Sequence, residues 1–280
     1  MGVRILTDST SDISINEAKQ MNITLVPLKV IFGDKEYKEG VDITIEGFYE
    51  KLIKAEILPT TSQPSPEDFL EYFKEAKETG DSIIVLVISA KLSGTYQSAM
   101  IAKEMADYEE IHIIDSNTTT CSLRMLVDQA VKLRDEGAGA KDIVDDLLKL
   151  RERIVLLAMV DTLEYLHKGG RLSKSSTILG TLLKFKPLIT VKEGVVGLIG
   201  KERGVNKAIG HIVDLIEENG GIDEAYPLYV GYAAVEDQSN LLKDKLIEKF
   251  NIKNMSVFPI GCVVGTHAGP GACMVTYVKK

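Results

Sequence analysis

The stretch ISAKLSGTYQ, residues 88–97, places Ser93-Gly94-Thr95 between an apolar run at 83–87 and an amphipathic segment. At such a strand-to-helix turn the first N–H groups of the helix have no intrahelical partner and carry the positive end of its dipole. A glycine that admits close approach, with flanking hydroxyls, then suits a carboxylate or a phosphate. The same serine also suits an ordinary helix cap. Three other places pose the same choice. Thr60-Thr61-Ser62 is either a hydroxyl cluster aimed at a ligand or a polar loop before a helix. His267, in the glycine-rich GTHAGPGA, either donates to an anion or satisfies a backbone carbonyl. Arg171, after Gly169-Gly170, either closes on a carboxylate or a partner's phosphate, or stays solvated at the surface. Taken singly, the ordinary reading is favoured at each place; their combination raises the reading of a shared anion site.

Other chemistries fare worse. The only Gly-Lys pair, Gly200-Lys201, is followed by Glu202 and has Val195 where a Walker loop needs its first glycine, and no G-x-G-x-x-G occurs. A Ser/His hydrolase built on Ser93 and His267 lacks the nucleophile elbow, because Lys91 stands where its first glycine belongs. Cys121, Cys262 and Cys273 are odd in number, far apart and without a C-x-x-C, so neither a disulfide framework nor a zinc site is indicated. No cofactor motif and no metal set is expected.

The elements that must position these residues alternate. The apolar run at 3–6 reads as a buried strand, followed by TDSTSD, rich in capping and turn-forming residues. Extended residues at 23–32 lead into FGDKEY as a hairpin turn, and a helical pattern spans 44–56. The loop LPTTSQPSPEDF ends in a helix start at Ser65-Pro66-Glu67-Asp68, and Gly80 closes that helix. Strand 83–88, helix 95–106, strand 111–114 and helix 118–136 follow, the signature of βαβ units and a largely parallel sheet. Ligands of such sheets sit beyond the carboxyl ends of the strands. The polar clusters at 7–12, 89–95 and 115–120 fall there.

Gly137 and Gly139 interrupt a helical pattern that resumes before a strand at 154–160. A helical stretch at 177–185, a hairpin turning at Glu193-Gly194, helix 206–219, strand 229–234, helix 236–250, strand 255–258, the glycine-rich turn GTHAGPGA and strand 273–278 complete the chain. The pattern predicts an α/β protein of two domains, 1–153 and 154–280. The first is built on a largely parallel sheet with flanking helices, the second on a mixed sheet.

The 280 residues carry a formal charge of −8, which argues against a nucleic-acid binder with a broad basic footprint. Yet residues 167–207 hold nine Lys/Arg against two acids, a local +7 that leaves −15 for the rest. Such a segment suits an anionic ligand or an acidic partner surface, or is simply a solvated basic face. No leader pattern opens the sequence and its longest apolar run, 154–160, is too short to span a bilayer. A cytoplasmic protein without a transmembrane segment is expected.

Seven segments in order, ILTDSTSDI (5–13), PTTSQPSPEDF (59–69), SAKLSGTYQSA (89–99), IDSNTTT (114–120), LEYLHKGGRLS (163–173), KPLITVKEG (186–194) and GTHAGPGA (265–272), resemble the DegV family. Its members are bacterial fatty-acid-binding proteins that act as acyl carriers for a fatty-acid kinase of phospholipid metabolism, and the motifs here show no departure. The resemblance implies a two-domain α/β fold with a long-chain fatty acid buried between the domains. Thr61 and Ser93, with the Gly94 backbone and His267, would hold its carboxylate. Arg171 and Arg203 would serve the partner and phosphoryl transfer. ATP would come from the separate kinase, leaving this chain without a complete catalytic apparatus of its own. The competing readings are a stand-alone acyl hydrolase using Ser93 and His267, and a binding protein for another small anionic metabolite.

Overall fold

The computed structural model describes residues 2–173 and 185–280. From β1 (Val3–Asp8) the chain passes through a 3-10 turn at Ser9–Ser11 to α1 (Ile15–Gln20), then β2 (Thr24–Val26), β3 (Lys29–Phe32), β4 (Lys35–Lys38) and α2 (Ile45–Lys54). Next come β5 (Thr60–Ser62), α3 (Pro66–Thr79), β6 (Ser82–Val87), α4 (Thr95–Ala106), β7 (Ile111–Asp115), α5 (Thr120–Asp135) and α6 (Ala140–Arg151). The remainder holds β8 (Ile154–Met159), α7 (Glu164–Lys168), β9 (Lys186–Lys192), β10 (Val195–Glu202), α8 (Val205–Glu218), β11 (Leu228–Tyr232), α9 (Asp237–Phe250), β12 (Met255–Pro259), α10 (Cys262–Ala268) and β13 (Cys273–Val278). The stretch predicted as helical at 177–185 lies outside the described residues apart from Phe185.

The first sheet has the order β2-β1-β6-β7, parallel throughout. Every residue of β6 is buried, as a parallel strand covered on both faces requires. Side chains alternate across it: Val85 and Val87 pack with Phe69, Phe73, Ala99 and Ala102 of α3 and α4, whereas Ile84 and Leu86 share a core with α5 and α6. The second sheet is mixed, in the order β10-β9-β8-β13-β11-β12, with only the β11–β12 pair parallel.

Several elements depart from the sequence reading, which places no helix at α1 or α7. The extended stretch at 23–32 breaks at Pro27, which cannot donate to a ladder, so β2 stays with the first sheet while β3 joins the small antiparallel sheet β4-β3-β5. The loop read at 58–69 contains β5, whose polar Thr60–Ser62 gives no apolar alternation but pairs with β3. The expected turn GTHAGPGA is half helix: α10 runs through Gly265 to Ala268. A glycine there is unfavourable for an isolated helix, but α10 packs flush on Phe48 and Tyr49 of α2 at that point.

Helix α5 lies between the two large sheets and is buried along most of its length. Its Ser122 hydroxyl meets Thr276 of β13 at 2.9 Å. Arg124 pairs with Glu17 at 2.7 Å, donates to Asp12 O at 3.3 Å and stacks on Phe258 of β12 at 3.7 Å from the ring centre. The cation therefore joins the opening turn, α1 and the second sheet. Arg124→Ala strips that contact from a largely buried position. It should cost about 2–4 kcal/mol of unfolding free energy, between the values of exposed and buried pairs. Urea titration checks this, and a loss below about 1 kcal/mol would contradict it.

Candidate functional site

A cavity of about 290 Å³ opens where the sheets meet. Its wall is mostly aliphatic: Leu28, Ile88 and Leu92 come from the first half of the chain, and Leu156, Ala158, Ile189 and Val263 from the second. Thr61, Ser93, Arg171 and His267 also line it. The ladder between β3 and β5 sets Thr61 opposite Val30, the turn after β6 carries Ser93, Arg171 follows α7, and α10 delivers His267.

Each of these polar groups has its own local partners. Thr61 Oγ1 meets His267 Nε2 at 3.0 Å. Arg171 donates to Leu92 O at 3.1 Å and to Gly169 O at 2.6 Å, bridging the serine-bearing turn and the end of α7. The Ser93 hydroxyl meets Thr95 Oγ1 at 2.9 Å. The helix cap position falls on Gly94, which has no side chain to cap with. A Cβ on Gly94 would overlap the Gln63 side chain, which packs over the start of α4. Gly169 is equally constrained, since a Cβ there would overlap His267 Nδ1. That nitrogen is buried without a hydrogen-bond partner. A hydrolase triad would place its orienting carboxylate there.

Burial, aided by the Arg171 charge, pulls the His267 pKa down to about 4, so the imidazole is neutral at ordinary pH. A neutral Nε2–H that donates to Thr61 Oγ1 leaves the threonine hydroxyl free to donate into the cavity. At the start of α4 the Thr95 N–H donates to Ser93 Oγ at 3.4 Å, so the serine also serves the helix end, and Gly94 lies under Gln63 and does not line the cavity. The arrangement suits an anionic head group attached to an apolar body.

Arg203 does not join these groups. Its guanidinium stacks on Phe185 at 5.1 Å from the ring centre, with Lys201 at 5.4 Å from the same ring. Gln63, inside a motif quoted for its neighbours, was not singled out by the sequence. Its amide donates to Ser98 Oγ at 3.2 Å and it lines the cavity. The thiols of Cys121, Cys262 and Cys273 are free and buried, and burial raises their pKa, which suits packing and not reactivity. Among the described residues no cluster of His, Cys, Asp and Glu could hold a metal ion, and no helix is long and apolar enough to cross a membrane.

The fold is that of a known class. The model of the DegV family, described as "Uncharacterised protein, DegV family", matches residues 2–280, and the chain belongs to that family. It is 39% identical over 280 residues to a DegV domain-containing protein of Caldanaerobacter subterraneus subsp. tengcongensis, covering 99% of each chain. It superposes with TM-score 0.90 and 33% identity on a Thermus thermophilus DegV family protein described by its fatty acid binding, over 99% of this chain and 100% of that one. A stearic acid-binding protein from Eubacterium ventriosum matches with TM-score 0.90 and 29% identity, over 100% and 99% of the chains.

The His267 environment makes a pH prediction. The unfolded chain takes up a proton near 6.5 and the folded protein only near 4, so this residue's contribution to stability is complete above pH 6.5 and lost as pH falls toward 4. Imidazole nitrogen shifts of His267 should therefore be those of a neutral ring at pH 6. The unfolding free energy of wild type relative to His267→Gln should fall between pH 6.5 and 4. A charged ring at pH 6 would contradict the assignment.

Proposed function

We propose that the chain binds a long-chain fatty acid in this cavity and presents its carboxylate to a separate, ATP-dependent fatty-acid kinase. The observation that carries the reading is the wall itself: aliphatic side chains from both halves, with Thr61, Ser93, Arg171 and His267 lining the same cavity. The fatty acids described for the Thermus and Eubacterium relatives support it. In this reading 1–153 and 154–280 are the two domains, the acyl chain lies between them, and the protein acts in the cytoplasm as a lipid-binding component without a nucleotide site of its own.

The physical balance fits. About fourteen methylenes at about 0.8 kcal/mol each give a gross term of order 11 kcal/mol, enough to retain a palmitate-length chain after ordering costs. A carboxylate left unpaired in the same cavity would cost several kcal/mol. The Thr61 and Ser93 hydroxyls take that role, with His267 ordering Thr61. Arg171 faces the charge that gathers as an acyl phosphate forms, and Arg203 with Lys201 presents a basic surface to an acidic partner.

Two outcomes test this. Thr61→Ala and Ser93→Ala should each weaken palmitate binding by about 1–3 kcal/mol with the fold retained; wild-type affinity in both places the head group elsewhere. Arg171→Ala should keep its lipid and lose most acyl-phosphate formation with a cognate kinase. Lipid loss with normal turnover per bound fatty acid would make Arg171 a ligand clamp instead.

A further inference from the structure

The opening TDSTSD turn does not line the cavity, yet every one of its residues is buried. Its hydrogen bonds run two ways. Toward the serine-bearing turn, Asp8 Oδ2 accepts the Ile88 N–H at 2.7 Å, while Oδ1 accepts the Thr10 N–H at 2.8 Å and hydroxyl at 2.6 Å. Toward α10, Asp12 Oδ1 accepts the Gly261 N–H at 2.9 Å. Glu39, delivered beside it by the chain after β4, accepts the Val263 N–H at 3.0 Å through Oε1. Its other oxygen takes the Ser9 hydroxyl at 2.6 Å, and Ser9 Oγ accepts the Leu28 N–H at 3.0 Å.

Two buried carboxyls thus grip the first turn of a seven-residue helix whose last turn carries His267. At about 1.5 Å per residue the six steps from Gly261 to His267 span about 9 Å, so a rigid α10 transmits any shift of its start to the imidazole. Phe48 and Tyr49 fix α10 sideways at Gly265, and the Tyr49 hydroxyl donates to Ile260 O at 3.0 Å. The carboxyls fix it along its axis. The choice of carboxyls is costly: Asp12 Oδ2 is buried without a partner, and burial lifts Glu39 to about 7 and Asp12 well above the usual range. An apolar contact would close a helix end more cheaply but would not set its height against hydrogen-bond donors.

We propose that Asp12 and Glu39 are positioning residues for the head-group end of the cavity: by holding the first N–H groups of α10 they set the register of His267 against Thr61. The inference rests on the fatty-acid reading, and the test separates the two. Dissociation constants for palmitate and for methyl palmitate, which has the same chain without the charge, are measured on folded wild type, Asp12→Ala, Glu39→Ala, Asp12→Asn and Glu39→Gln. The alanine variants should bind the ester like wild type and palmitate about fivefold to tenfold more weakly, a loss of about one hydrogen bond's worth. The amide variants keep an acceptor for α10 and should restore palmitate binding. Equal weakening of both ligands, or undiminished preference for the acid in every folded variant, overturns this inference alone. Wild type that does not distinguish acid from ester overturns the fatty-acid reading and this inference with it. Should the alanine variants fail to fold, Ser9→Ala, which removes one support of Glu39, carries the same comparison with the same contrary results.

Discussion

The hydrogen bond between Thr61 Oγ1 and His267 Nε2, 3.0 Å long, joins residues 206 apart in sequence and ties the two halves of the chain side chain to side chain at the cavity, beside the bond from Arg171 to Leu92 O. Neither residue holds the other by local structure. Thr61 is fixed by the ladder of a three-stranded sheet that β3 joins after the chain breaks at Pro27. His267 is fixed by a short helix gripped at its start by Asp12 and Glu39. The polar wall therefore exists only when all of these elements are in register.

Burial has opposite consequences for the two kinds of titratable group beside the cavity. It keeps the imidazole neutral, so His267 adds no second cation beside Arg171. It also raises the carboxyls behind α10, which makes them costly to hide, while their hydrogen bonds to Gly261 and Val263 work against that rise. Helix α5 supplies the rigid floor: its residues are covered by a sheet on each side, and Arg124 ties it to the turn that contains Asp12. The apolar wall needs no such precision, since it contributes by area.

Much of the frame was legible because its signals are local. The start at Ser65-Pro66 is real, with Asp68 accepting the Ser65 N–H at 2.8 Å, and Gly80 ends that helix in the left-handed region. The apolar run before Ser93 is a fully buried strand, as its composition required. One miss was local, the Ser14/Glu17 capping box that starts α1, while others depend on tertiary contacts. β5 is a polar triplet that becomes a strand only through its partner. α10 contains a glycine that is explicable only by the close approach of Tyr49. At the site, Thr61, Ser93, Arg171 and His267 were singled out by residue type and do line one cavity, while Arg203 stacks on Phe185 instead. Glu39 left no trace in the sequence, because within a charged stretch a buried carboxyl looks like a solvated one.

The proposed role stands or falls on whether the cavity holds a fatty acid. Mass spectrometry of protein purified from a bacterial host, intact under native conditions and again after solvent extraction, tests it most directly. The account predicts about one non-covalently bound long-chain fatty acid per chain. Protein that is consistently free of lipid and also refuses added palmitate, or that carries a phosphorylated metabolite in its place, would contradict it.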